Sequence, residues 1–468
     1  MIELTPLTIA DAIGGRYEGP NAASDDDPSR AVIDSREVGS GDLFFGLRGE
    51  SVNGGRYAAD VLAAGAWGVV VTPEFGEEVA AARGPSQHVF VTEDPVEALG
   101  AVARAWRQQL GAKVIGVTGS TGKTSTKDIL AALLAKSRTV VATPSNHNTE
   151  IGLPLTILGA SIGTDVLVLE MAMRGSGQID QLARIAEPDV GCIVNVGPVH
   201  LEQLGTVEAV AAAKAELVAA LGPNSAAVVP ADEPLLDRHR REDIRTVTFG
   251  IGGDVRILSE DSATSGAQAG LRLQTPVGEV LIEPSFSEHY LFRNLLAAVA
   301  CAQLVGAPVD GKLEVKFSAL RGEVLEVLGG VTLINDCYNA NPVSMRAALD
   351  NLGRADGRKI AVLGGMGELG VDSDRFHHEI AGHAAGVGVD LLVAVGELGG
   401  AYGDGYFGSI EHVATPQAAA HVVRSVAQPS DTVLVKGSRS VGLESVAEIL
   451  LNASHSLGSA RNTDEREV

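Results

Sequence analysis

Lys123 and Thr124 stand directly behind a loop of glycines in VIGVTGSTGKTSTKDIL, residues 114–130, and this is the segment most able to do chemistry. Glycines let backbone N–H groups close around phosphate oxygens, and a helix N-terminus adds its positive end. In such a cradle Lys123 reaches the β- and γ-phosphates and the Thr124 hydroxyl reaches Mg²⁺. The spacing departs from a strict Walker A motif, which needs glycine at position 117, where this chain has Val117. Here Gly116, Gly119 and Gly122 step by three instead. Two further candidates are Glu170, which ends VLVLE, and His200, just past VGCIVNVG. A carboxylate at a strand end beside a phosphate loop is positioned to hold Mg²⁺, directly or through water. Together these residues imply a nucleoside triphosphate as ligand.

Such groups need a strand to end where the loop begins and a helix to start where it stops. Val114 to Val117 reads as a buried strand, and a helical pattern runs from the loop to about Lys136. VIGV, VLVLEMA, VGCIVNVG and AAVVP then alternate with helical stretches, the pattern of a parallel sheet covered by helices. In such sheets ligands lie beyond the carboxyl ends of the strands, where Glu170 and His200 fall. A β-rich insert, VRILSED to VLIEPS, precedes a helix over residues 290–305. From about residue 321 the pattern restarts with VTLINDCYN, KIAVLGGMG, LLVAVGE and DTVLVKGS, as in a smaller doubly wound domain. Before the loop, DLFFGLRG, WGVVVTP and HVFVTED are strand-like, with helices near 56–66 and 95–110. The expected fold is therefore α/β in three domains. These are a small α/β domain (1–111), a central P-loop-type parallel-sheet domain (112–320) and a Rossmann-like doubly wound domain (321–456). A disordered tail is expected over 457–468.

Composition narrows the partners. Over 468 residues the formal net charge is −23, which argues against nucleic acid or an anionic membrane as main partner. Cys192, Cys301 and Cys337 are too scattered for a disulfide framework or zinc site and suit a reducing cytoplasm. The opening MIELTPLTIADAIGG has neither a basic start nor an apolar core, so no signal peptide is expected. No uncharged run is long enough to span a membrane.

Other residues say less by themselves. Lys214, in the helical TVEAVAAAKAEL, reads most simply as a solvated lysine. Asp336, Asn339 and Asn341 in INDCYNANP suit a turn with Pro342. Arg36 and Arg48 read either as surface cations or, with a neighbouring glycine, as grips for a diphosphate.

Taken in order, the segments DSREVGSGDLFFGLRGE, GVTGSTGKTSTKD, SNHNTEIGLPLT, VLEMAMRGSGQI, NVGPVHLEQLG, AAAKAEL, RGEVLEV, INDCYNANPVSM, AVLGGMGELG and LVKGSRSVGLE resemble the Mur ligases over nearly the whole chain. These are ATP-dependent enzymes that add amino acids to the peptidoglycan precursor, and the step-three glycine loop is their form of the motif. DCYNANPVSM is most similar to the members that use UDP-N-acetylmuramoyl-tripeptide and D-alanyl-D-alanine. The resemblance implies an amide ligase acting through an acyl phosphate, monomeric and cytoplasmic. It implies that Ser35, Arg36, Leu47, Arg48, Gly49 and Asn53 hold the UDP end. ATP would lie on Gly119, Ser120, Thr121, Gly122, Lys123, Thr124 and Ser125, with Asn294, Arg321, Asp336 and Asn339 around the nucleotide and Asp336 on the ribose. One Mg²⁺ would lie between Thr124 and Glu170. A second would involve Glu170, His200 and Lys214, the lysine carried as a carbamate. Asn339 and Asn341 would line the site near the nucleotide and incoming dipeptide, and Lys436, Ser438 and Arg439 would lie near the cleft among the substrate-binding residues. Catalysis would rest on Lys123, Glu170, His200 and Lys214.

Three departures stand out: Ala172 replaces a usual glycine, Gly365 a usual acidic residue, and HYLFRN stands for HN-x-x-N. Rival readings are a sibling ligase adding the third stem residue, a folylpolyglutamate synthase-like ligase and an ATP-binding regulatory module. The DSR, LRGE and DCYNANP segments argue against the folate enzyme.

Overall fold

Three parallel-rich sheets follow one another along the chain in the computed structural model, which describes residues 2–20, 27–261 and 270–453. The first has five strands in the order Arg16–Glu18, His88–Val91, Gly68–Val71, Leu43–Phe45, Ala31–Val32, and its Arg16–Glu18 edge is antiparallel. Its strands read VVV and LFF, continuous apolar runs as expected where both faces are covered. The expected helices appear as Ala58–Ala63 and Pro95–Leu110. Two more helices, Pro6–Ile13 and Pro73–Ala82, did not stand out in the sequence; they bury only Pro6 and Ile9, and Gly76 and Val79, too few positions for a visible period.

Helix Pro95–Leu110 joins the first sheet to the second. Asp94 caps its start by accepting from the N–H groups of Val96 and Glu97, and Gly111, at φ 64°, ends it. The indole N–H of Trp106 donates to Ala160 O at 2.9 Å, and Arg107 donates to Ala186 O and Glu187 O at 2.9 and 2.8 Å. The linking helix is thus bonded to the central unit along its last turn.

The central sheet has six parallel strands in the order Arg245–Phe249, Ala226–Pro230, Val190–Ile193, Lys113–Thr118, Val166–Glu170, Val140–Ala142. Register sets Val117 opposite Glu170 and Thr118 opposite Ile193, so three strands deliver their carboxyl ends to one place. Helices Lys123–Ala135 and His289–Leu304 bury Ile129, Leu133, Leu295 and Val299 in one cluster over this sheet. The β-rich insert is a four-stranded sheet: Arg256–Asp261, Gly270–Thr275 and Gly278–Pro284 are antiparallel, and Gly311–Leu313 adds in parallel from beyond the helix.

The third sheet runs Glu323–Val327, Val331–Asn335, Thr432–Lys436, Lys359–Gly364, Leu391–Val395, Ser409–Val413, parallel except for the first pair. An apolar cluster runs through all three units, from Leu43 and Trp106 through Leu169 and Leu201 to Met345, Leu369 and Leu434. The three cysteines are buried and unpaired. Among the described residues no helix is long and apolar enough to cross a membrane. The tail expected over 457–468 lies outside the described residues.

Candidate active site

Strand Lys113–Thr118 sits in the middle of the central sheet, and four residues separate its end from the start of helix Lys123–Ala135. Gly122 is the helix N-cap at φ 73°, a left-handed conformation that a side chain disfavours. A Cβ there would also lie 2.6 Å from Asn294 Oδ1, so the loop needs glycine for space as well as for backbone. Asn294 is buried and packs on the loop, so the altered HYLFRN run still delivers it to the cleft. Its neighbour Arg293 is committed to Asp232 through a two-pronged pair at 2.9 and 2.8 Å.

Residues that the sequence reading did not single out hold the loop shut. Asn195 Oδ1 accepts from Thr121 N–H at 2.9 Å, and its Nδ2 donates to Thr121 Oγ1 at 2.7 Å. Ser120 Oγ accepts from Gly197 N–H and donates to Gly197 O. Lys123 Nζ donates to Gly119 O at 2.7 Å, which folds the side chain back over the loop. Burial pushes the Lys123 ammonium down from its ordinary value; Glu170 opposes this and Arg321 adds to it.

Glu170 is 2 % exposed at its strand end. Asn148 Nδ2 donates to its Oε1 at 2.8 Å, while Oε2 is buried with no hydrogen-bond partner. A buried carboxylate oxygen without a donor is expensive unless a cation or ligand meets it. Thr124 is buried at the same cleft. His200, at φ 53°, opens the short helix Leu201–Leu204, and its Nδ1 is bonded to Glu368 of the third unit. Burial lowers the affinity of His200 for a proton, with Lys123 and Lys214 acting the same way and Glu368 opposing them.

Lys214 corrects the simple reading of its helix. It is 2 % exposed, not solvated, and burial together with Lys123 pushes its ammonium well down. A neutral buried amine is the form that can add CO₂ to give a carbamate. Among the described residues no three His, Cys, Asp or Glu side chains gather as a metal cage. A cation here would need Thr124, phosphate oxygens or a modified Lys214 beside Glu170 and His200.

The third unit supplies the opposite wall. Lys436, 2 % exposed, donates to Asp336 Oδ2 at 2.7 Å and to Asn339 O at 3.0 Å, which pins the Asp336 loop. Arg321 lies over the Tyr338 ring at 3.9 Å from its centroid. Asn341 caps helix Pro342–Gly353, bonding Ser344 N–H at 3.0 Å in a capping box. The cleft between the walls has a volume of about 780 Å³ and is lined by the segment 120–125, by Glu170, His200, Lys214, Asn294 and Arg321, and by Asp336, Asn339, Asn341 and Lys436.

Other candidates lie elsewhere. Ser438 accepts from Gly367 N–H at 2.8 Å and Arg439 pairs with Glu444 at 3.4 Å, and neither lines the cleft. The first-unit residues form a separate edge. Asn53 Nδ2 donates to Glu74 Oε1 at 2.6 Å and Arg48 approaches the same carboxylate at 3.8 Å. Gly49 N–H bonds Val52 O in a turn after the half-buried Leu47, and Arg36 pairs with Asp34 one residue before Ser35. Two departures also gain a physical account. A Cβ at Gly365 would lie 2.4 Å from Leu398 Cβ, so no acidic side chain fits there. Ala172 uses its N–H on Asn148 O, a bond any residue type can make.

Comparison with known proteins agrees along the chain. The models of the Mur ligase family, catalytic domain, of the Mur ligase middle domain and of the Mur ligase, glutamate ligase domain match residues 31–107, 117–302 and 320–439. The UDP-N-acetylmuramoyl-tripeptide–D-alanyl-D-alanine ligase of Bacillus subtilis is 31% identical, covering 97% of this chain and 99% of its own. Its namesake in Mycobacterium tuberculosis is 36% identical over 98% of this chain and all of its own, 100%. Among solved structures, MurF from Acinetobacter baumannii superposes with a TM-score of 0.84 at 28% identity, over 96% of this chain and 99% of its own. MurF ligase from Thermotoga maritima in complex with ADP gives 0.81 at 31% identity, over 91% and 98%.

Proposed function

The chain belongs to the Mur ligase family, and from that premise we propose that it joins D-alanyl-D-alanine to UDP-N-acetylmuramoyl-tripeptide in the synthesis of the peptidoglycan precursor, converting ATP to ADP and phosphate. The observation that carries the reading is the cleft itself. Its central wall bears a phosphate loop and the set Glu170, His200 and Lys214, and its other wall bears Asp336, Asn339 and Asn341.

A free carboxylate is a poor electrophile, because attack adds charge to an anion with no leaving group. The terminal carboxylate of the tripeptide would therefore take the γ-phosphoryl group of ATP and become an acyl phosphate. The dipeptide amine would attack its carbonyl carbon, and the tetrahedral intermediate would expel phosphate to leave the amide. Asn195 takes the N–H groups of Ser120 and Thr121, so those of Gly122, Lys123 and Thr124 would hold the phosphate oxygens. Lys123, tethered on Gly119 O, would bring positive charge to the oxygens that gain it. Asp336, fixed by Lys436, would hold the ribose. Asn294 and Arg321 would border the nucleotide, and Asn341 the dipeptide.

The residues present fit divalent cations, since the free oxygen of Glu170 lacks any donor. Thr124 and Glu170 would hold one Mg²⁺, and Glu170, His200 and the Lys214 carbamate a second. When bound, these ions neutralise charge on the transferring phosphoryl group. Acyl phosphates hydrolyse in water, so the third unit would cover the reaction. The UDP end would rest on the first-unit edge around Arg48, Gly49 and Asn53. A monomer in the cytoplasm belongs to the same proposal, as do domain limits near residues 111 and 320.

The test is phosphate release with ATP, Mg²⁺, UDP-N-acetylmuramoyl-tripeptide and D-alanyl-D-alanine, each omitted in turn. Release that needs all four, with the pentapeptide product seen by mass, is the expected result. Release with a single amino acid in place of the dipeptide would move the chain to a sibling ligase, and release without any amine to an ATPase.

A further inference from the structure

Glu368 reaches across from the third unit to the central one. It lies in the loop after strand Lys359–Gly364, and its carboxylate is bonded to His200 Nδ1. Its other oxygen faces Arg174 at 4.0 Å, and its backbone carbonyl accepts from Glu202 N–H at 3.4 Å. Both partners of the central contact hold left-handed backbones, His200 at φ 53° and Glu368 at φ 62°. That conformation is unfavourable for a residue with a Cβ, and a half-exposed ion pair returns little. Stability alone therefore does not account for two strained residues meeting across an interface. Placement does: an imidazole whose Nδ1–H is held by a carboxylate keeps its lone pair on Nε2, the arrangement found where histidine binds a metal.

We propose that Glu368 is a positioning residue for His200, fixing its tautomer and leaving Nε2 for a divalent cation, so that the cation site of the central unit is complete only while the third unit is docked. This rests on the metal reading given above. Closure of the third unit then does more than exclude water: it sets the last ligand.

The test uses the full chain with bicarbonate and a non-hydrolysable ATP analogue, titrating Mn²⁺ by electron paramagnetic resonance. The wild type should bind two ions. Glu368→Ala should weaken one of them about 10–100-fold while leaving the other, the nucleotide affinity and the melting temperature in place. Glu368→Gln, whose amide oxygen still accepts from Nδ1–H, should recover most of the loss. His200→Ala is the control. If it loses one ion while Glu368→Ala binds both like the wild type, this inference fails and the metal reading stands. If His200→Ala also binds both unchanged, the metal reading fails and the inference with it.

Discussion

Gly122 and Lys123 are neighbours with opposite tolerances. A side chain at Gly122 meets both a left-handed backbone and Asn294, so Gly122→Ala should cost about 1–3 kcal/mol of stability and weaken ATP binding. Thermal melting with and without nucleotide would measure both effects. Lys123→Ala removes a charge from a half-buried position together with its bond to Gly119 O, in a loop that Asn195 and Ser120 also hold. We expect melting to be unchanged and ligation to fall by about 10³-fold, as for loss of a donor to a developing anion. Retained turnover would end its assigned role. These two residues were legible because the strand, glycine loop and helix that place them are contiguous in sequence, although the Asn294 that crowds Gly122 is not. Asn195 and Glu368 were not, since they act on Thr121 and His200 from 74 and 168 positions away. Lys214 was misread because a helix of alanines and a lysine looks alike whether it faces water or the core.

At the scale of elements, the capping box of helix Pro342–Gly353 makes the clearest case. Asn341 both starts the helix and borders the cleft, so Asn341→Ala should lower stability by about 1 kcal/mol, with Asn341→Asp, which also caps, retaining it. If the two variants bind dipeptide equally poorly while differing in stability, the cap and the site are separable. The first sheet carries a pH response. His88 is buried against Trp67 with its Nε2 unbonded, and burial, helped by Arg83, holds it at about 4 against an ordinary 6.5. The unfolded chain takes up the proton first, so this part of the stability is full above pH 6.5 and is lost as pH falls toward 4. The loss should approach about 2–3 kcal/mol by denaturant unfolding, and His88→Leu should abolish that slope. Long parallel strands were readable as apolar runs. Strand Gly311–Leu313 was not, because its three residues bury only Leu313 and its partner lies across a helix.

For the whole molecule, the order of the three sheets was visible in the alternation of strands and helices, but their contacts were not. One apolar cluster threads all three units, and helix Pro95–Leu110 is bonded to the central one, so first and central units form a common support. The third unit meets that support at the cleft, where its opening and closing would matter. Its thiol offers a way to time this. Cys192 and Cys301 lie in the central core and Cys337 beneath the third sheet, all sealed from solvent. A maleimide added to the native chain should therefore find nothing to react with until some part breathes. Counted by mass over hours, adducts at 337 arriving ahead of those at 192 and 301 would report the third unit loosening alone, and simultaneous arrival would report one cooperative block. The three native thiols make the chain its own clock, with no cysteine introduced by mutation.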